Sequence, residues 1–218
     1  MSLYYKFKMS IEIKISIKPV DYSKAMSLLE KRLQKVINHS GKEFIWFLEH
    51  KKVYTAGTSY TNSDILDKSI KIVKTSRGGK ITCHSPGQLV CYFVIDLNKR
   101  EKDIRKFIIT LENSIIETFK EFKIETNSDR NNIGIWLSHN NENKKIGAIG
   151  IRVKKWVAYH GFSININNDL KYFKKIIPCG VRDKRVVSLK DISKVKYTDF
   201  LRQLEKKLVK NLSVSNYS

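Results

Sequence analysis

Apolar and polar positions change rhythm along the chain, and each rhythm predicts an element. Ile11, Ile13, Ile15 and Ile17 alternate with Glu12, Lys14 and Ser16, the period of a half-buried strand. Pro19 ends it, and Asp21 is placed to cap a helix running to about Asn38. Phe44 to Leu48 is a short apolar run that predicts a buried strand, and Lys71 to Lys74 predicts another, leading into Ser76 to Gly79. Leu89 to Leu97 is apolar enough for a central strand covered on both faces. Ile104, Phe107, Ile108, Leu111, Ile115 and Phe119 then recur at helical spacing behind Asp103.

Further strands are predicted at Ile133 to Leu137, Lys145 to Val153 and Val157 to Ile166, with a hairpin turn at Asn140-Asn141-Glu142-Asn143. A last helix is expected over about Tyr197 to Leu212. Runs of strands broken by a few helices, without a regular βαβ alternation, predict an α+β fold with a mixed, largely antiparallel sheet flanked by helices. With no internal repeat and no long linker, residues 1–218 are expected to form one domain.

Composition narrows the class. Apolar residues make up 41% and aromatics 11% of the 218 residues, which excludes wholesale disorder. Forty-two Lys plus Arg against twenty-one Asp plus Glu leave a formal charge of +21, which favours an acidic partner, nucleic acid or an anionic membrane. The lysines are scattered, and a coding bias toward Lys, Ile and Asn would produce the same excess, so the charge names no partner. Three cysteines, Cys83, Cys91 and Cys179, give neither a disulfide framework nor a zinc-ligand spacing. No secretory signal and no stretch of about 20 apolar residues is visible. A soluble chain in a reducing compartment, the cytoplasm, is the expectation.

Three segments could carry chemistry. In Arg77-Gly78-Gly79-Lys80-Ile81-Thr82-Cys83-His84 two adjacent glycines allow close backbone approach to a ligand, and His84 precedes a Pro-Gly turn; such a stretch is also an ordinary Gly-rich hairpin. Lys144-Lys145-Ile146-Gly147-Ala148-Ile149-Gly150 sets small residues on an apolar strand behind a lysine, which suits proton transfer if the amine is desolvated; a solvated strand end is the plainer reading. Pro178-Cys179-Gly180 fixes a thiol in a turn, where a nearby cation would make it a nucleophile. Cys83 and Cys91 read as structural, one in a turn and one in a core strand.

Taken in order, these segments resemble the octanoyl-(acyl carrier protein)-dependent octanoyltransferases, the lipoate-protein ligase B family. Glu49-His50-Lys51-Lys52-Val53-Tyr54-Thr55-Ala56-Gly57 is similar to the family's EH-x-x-V-[YF]-T-x-G, and Arg77-Gly78-Gly79 through Gln88 to RGG-x-x-T-x-HGPGQ. Lys145 to Gly150, His160-Gly161-Phe162-Ser163-Ile164-Asn165-Ile166, Pro178-Cys179-Gly180 and Val187-Ser188-Leu189 complete the match, which covers about residues 44–190. The resemblance implies a fold like the catalytic domain of biotin and lipoate protein ligases, a monomer, and no cofactor or metal. It implies that Cys179 attacks an octanoyl thioester of acyl carrier protein and that Lys145 lowers the Cys179 pKa and shuttles protons. The acyl group would then pass to a lysine of apo-lipoyl domains, those of 2-oxoacid dehydrogenase complexes and of glycine cleavage H protein.

Residues 77–84, 148–150 and 161–163 are where the resemblance puts the acyl substrate: Arg77, Gly78, Gly79, Lys80, Ile81, Thr82, Cys83, His84, Ala148, Ile149, Gly150, Gly161, Phe162 and Ser163. Amides near Gly78 and Gly79 are candidates for holding the oxyanion. Ser85 replaces the family's Gly, Phe162-Ser163 a smaller apolar pair, and Phe93 a frequent Pro. These departures bear on the acyl tunnel more than on the Cys and Lys. The related ATP-dependent ligases, which need no cysteine, are the nearest alternative, and Pro178-Cys179-Gly180 argues against them. A nucleic-acid-binding module would need a clustered basic face with interleaved aromatics, whereas the aromatics here follow core patterns.

Overall fold

The computed structural model describes residues 11–139, 142–178 and 186–214. Seven strands form the main sheet: β1 (Glu12–Ile15), β2 (Phe44–Leu48), β6 (Gln88–Asp96), β7 (Asn127–Ser128), β8 (Ile135–His139), β9 (Glu142–Lys154) and β10 (Val157–Asn165). Their order is β1-β2-β6-β10-β9-β8-β7. Only β1 and β2 run parallel, joined through helix α1 (Tyr22–Ile37); the other neighbours are antiparallel. A second sheet, β4-β3-β5, consists of β3 (Val53–Ala56), β4 (Ile72–Lys74) and β5 (Ile81–His84). The fold is α+β with a mixed, largely antiparallel sheet between helices.

Side-chain alternation on β6 explains why both faces are covered. Leu89, Cys91, Phe93 and Ile95 point to one face, where they meet helix α2 (Ile104–Glu121) through Phe107, Leu111, Ile115 and Phe119 and helix α3 (Tyr197–Val214) through Phe200, Leu204 and Leu208. Val90, Tyr92 and Val94 point to the other, against Ala25, Leu29, Leu33 and Val36 of α1. Every β6 residue is buried, as a strand covered on both faces requires. Asp21 caps α1 by accepting from the amides of Ser23 (2.9 Å) and Lys24 (3.2 Å). Asp103 does the same for α2 with Arg105 (2.8 Å) and Lys106 (3.1 Å), offsetting amides that have no partner within the helix.

Three expectations change. In β1 Ile13 and Ile15 are exposed, while Ile11 just before the strand packs partly buried against the core. The polar positions also make contacts: Glu12 pairs with Arg32, exposed Lys14 lies 4.7 Å from the Trp46 ring centroid, and Ser16 accepts from Trp46 Nε1 at 2.9 Å. Glu142 and Asn143 belong to β9 rather than to a turn, while 140–141 fall outside the described residues. Cys83 is in strand β5, where it packs with Tyr54, Ile81 and Phe173. Among the described residues no helix is long and apolar enough to cross a membrane.

Candidate active site

Small residues in register hollow out one face of the sheet. Val90 of β6, Ser163 of β10 and Ala148 of β9 lie side by side, and so do Tyr92, Gly161 and Gly150. These residues line a cavity of about 480 Å³, roofed by Arg77 to Thr82 and His84 and flanked by Ile104 and Ile108 of α2 and by Asn131 to Ile133. That volume lies within the range of small-molecule sites. Gly161 has to be glycine, because a Cβ there would collide with the Cys91 carbonyl of the adjacent strand.

The roof is pinned in place by Arg77. Its Nη2 donates to the Thr55 carbonyl (2.8 Å) and to Thr55 Oγ1 (2.9 Å), and its Nη1 donates to the Gly78 carbonyl (3.0 Å). The Gly57 amide donates to Lys80 O (3.1 Å) and the Ser59 amide to Gly79 O (3.2 Å). A side chain at Gly57 would strike Arg77 and Gly79. The Gly78 amide donates to Ile151 O at 3.2 Å. It is therefore committed to the sheet edge, and Gly78 walls the cavity instead of offering an oxyanion donor.

Lys145 reaches the same cavity although only 7% exposed. Its Nζ donates to Ile133 O at 3.0 Å and lies 4.9 Å from the centroid of the Trp136 ring. Gly134, at φ +147°, leaves the room its side chain occupies. The Lys145 carbonyl accepts from the Val187 amide at 3.0 Å, and its backbone bridges to Val186. Pro178, Val186, Lys145, Ala148 and Ser163 all line one small void of about 20 Å³. Both flanks of 179–185 thus meet beside Lys145, whereas Cys179 itself lies outside the described residues.

Burial keeps the nearby histidines neutral. His84 donates from Nδ1 to Gln88 Oε1 (2.7 Å), because the Gln88 amide nitrogen is itself a donor to Asn165 Oδ1 (2.9 Å). Its pKa is lowered to about 3 by burial first and then by His50 and Arg77. His50 must hold its proton on Nδ1, which faces the Val20 carbonyl at 2.8 Å, so Nε2 accepts from the Tyr92 hydroxyl at 2.8 Å. His160 meets Ser76 Oγ through Nε2 (3.1 Å), and its buried Nδ1 has no hydrogen-bond partner among the described residues. Burial, then Arg77 and Arg152, lowers its pKa to about 4. His160 also has φ +70°. That backbone and an unmet buried nitrogen each cost about 1–3 kcal/mol.

Arg77, Gly78, Gly79, Lys80, Ile81, Thr82, His84, Lys145, Ala148, Ile149, Gly150, Gly161, Phe162 and Ser163 all border the cavity. Cys83 does not; its side chain packs with Tyr54, Ile81 and Phe173 in the small core behind β5. Sequence reasoning missed Tyr92, His160, Asn131 to Ile133, and the cavity-facing role of Ile104 and Ile108. Ile104 and Ile108 gave a signal, being four apart and beside the Phe107–Leu111 stripe; nothing in the 131–133 loop did.

A family model, the lipoyl protein ligase A/B catalytic domain, matches residues 21–209. The chain belongs to this family. Within the lipoyl protein ligase A/B family it is 41% identical over 203 residues to an octanoyltransferase of Ehrlichia ruminantium (strain Gardel), covering 92% of this chain and 98% of that one. It is 44% identical over 179 residues to an octanoyltransferase of Wolbachia pipientis wMel, covering 82% and 87%. Its fold is similar to that of a lipoate-protein ligase A bound with ATP, with TM-score 0.70, 15% identity, and coverage of 93% and 86%. A bipartite lipoate protein ligase of Thermoplasma acidophilum superposes with TM-score 0.71 at 14% identity, covering 94% and 85%.

Proposed function

We infer that this protein is an octanoyltransferase of protein lipoylation, moving an octanoyl group from octanoyl-acyl carrier protein to a lysine of a lipoyl domain. The observation that carries the reading is a largely apolar cavity bordered by Lys145, which also lines the small void where Pro178 and Val186, the flanks of 179–185, converge. Relatives that match nearly the whole chain bear the name octanoyltransferase, which supports the same reaction.

In the reaction, the Cys179 thiolate attacks the thioester carbonyl. The tetrahedral adduct collapses with release of the carrier thiolate, which takes a proton from Lys145. The acceptor lysine amine then attacks the acyl-cysteine, forming an amide, regenerating the cysteine sulfur and returning a proton to Lys145. Donation to the Ile133 carbonyl holds the Lys145 amine at the cavity wall. The carbon chain would lie along Ala148, Gly150 and Gly161 beneath Arg77 to Thr82. An energy-rich thioester enters, so neither ATP nor a metal is needed.

The acceptors would be the lipoyl domains of 2-oxoacid dehydrogenase complexes and glycine cleavage H protein. The enzyme would act as a single-domain monomer in the cytoplasm, its +21 charge suiting acidic carriers. Intact mass after mixing with octanoyl-acyl carrier protein alone tests the reading. An octanoyl adduct is expected on the wild type, absent from Cys179→Ala and formed at least about 100-fold more slowly by Lys145→Ala. Lipoyl-domain modification that required ATP and free octanoate, with no adduct on the protein, would move it to the ligase class.

A further inference from the structure

A second cavity of about 560 Å³ lies behind the first, walled by Met26 and Leu29 of α1 and by Val53 and Val73, with exposed Lys51 and Lys52 beside them. His160 borders both cavities. Its hydrogen-bond partner Ser76 borders the second. Alongside this pair, Tyr22 of the second cavity stacks on His84 of the first, ring centroids 6.4 Å apart. The side chains of His160, Ser76, Tyr22 and His84 therefore stand between two spaces of similar size.

His160 reaches this position by an unusual route. On β10 it falls between Tyr159 and Gly161, and simple alternation would send it to the opposite face. Its φ of +70° instead lays the ring against Tyr159, at a centroid distance of 4.7 Å and an interplanar angle of 25°. A strained backbone and a buried nitrogen without a partner among the described residues are features that packing alone disfavours, and they tend to persist where function holds them.

The spacing gives the wall a meaning. Ala148 and Ser163 border both the main cavity and the small void shared by Lys145 and Pro178, and on the acyl-transfer reading, with Lys145 beside the reacting group, the carbonyl would lie at their level. His160 is three residues further along β10, about 10 Å at a strand rise of about 3.3 Å per residue. The seven C–C bonds of an octanoyl chain, each about 1.5 Å, extend about 9 Å in zigzag form. We propose that His160, braced by Ser76, is the stop that ends the acyl cavity and makes the enzyme select eight carbons, and that the second cavity is the room longer chains enter when the stop is removed. The proposal rests on the acyl-transfer reading and assigns the residue that sets its chain length.

The test measures acyl-enzyme formation, by intact mass against time, with octanoyl, decanoyl, dodecanoyl and tetradecanoyl thioesters of acyl carrier protein. Wild type is expected to favour octanoyl. His160→Gly, which suits the positive φ, should raise the dodecanoyl-to-octanoyl rate ratio at least about tenfold, the scale on which pocket size discriminates. Adding Met26→Trp to that variant, which refills the second cavity, should return the ratio toward the wild-type value. If glycine in mid-strand prevents folding, His160→Asn also tolerates positive φ and should shift the optimum by fewer carbons. An unchanged ratio in a folded, octanoyl-accepting variant would overturn the stop while leaving acyl transfer intact. A wild type that takes no acyl group from any thioester would overturn the acyl-transfer reading, and the stop with it.

Discussion

Gly134 shows how one missing side chain can set the position of Lys145, the proton carrier proposed above. A Cβ at this position would collide with Lys145 Cε and come within 2.9 Å of Nζ, and the backbone φ of +147° already disfavours any other residue. Gly134→Ala is therefore expected to push the amine away from the Ile133 carbonyl it now meets. Misplacement by about 1 Å is enough to cost about 100-fold in rate. Single-turnover acylation should fall by that order while the variant remains folded by circular dichroism; a full rate would show that Lys145 needs no such room. Cys83 and Cys91 mark the contrast. Burial raises the Cys83 thiol to about 12 and the Cys91 thiol well above its usual range, so both are poor nucleophiles.

At the scale of elements, one buried ion pair joins three of them. Arg100, after β6, clamps Glu43, just before β2, in a two-pronged contact, with side chains only 2% and 4% exposed. Glu43 Oε1 also accepts from the Asp96 amide at 2.7 Å, and Arg100 Nε donates to Leu212 O of α3 at 3.2 Å. Removing one partner strands a buried charge, so Arg100→Ala should destabilise the fold by about 3–5 kcal/mol. Replacing both, as in Glu43→Gln with Arg100→Met, should recover much of that loss. Urea denaturation of the two variants measures the difference, and equal midpoints for single and double would refute the argument.

At the scale of the whole molecule, the cluster of neutral histidines sets the acid limit of stability. His84 near 3 and His160 near 4 lie below the unfolded value of about 6.5, and His50 is lowered as well, in each case first by burial. Between those values the unfolded chain binds more protons than the folded one, so stability is fully present above about pH 6.5 and drains as pH falls toward 4. The melting temperature should drop across that window, and less steeply in His84→Gln, once compared at a common starting stability. A flat profile from pH 6.5 to 4 would mean that the histidines are not buried as described.

The sequence alone determined the central strands, the three helices and the Asp21 cap, because burial imposes a period and a cap needs a particular side chain. Phe44–Leu48 was legible to the residue, and fourteen of the fifteen described residues expected at the site do border the cavity. What it could not fix was direction. Ile13 and Ile15 of β1 are exposed, while Glu12 and Ser16 meet Arg32 and Trp46, distant in sequence. Cys83 turns away from the site because Tyr54 and Phe173, distant in sequence, form the small core it packs into. The union of Tyr92, His160, Ile104 and Ile108 with the glycine segments around one hollow came only from strand order and helix packing. Periodicity reports which residues are buried; the tertiary fold alone decides against what.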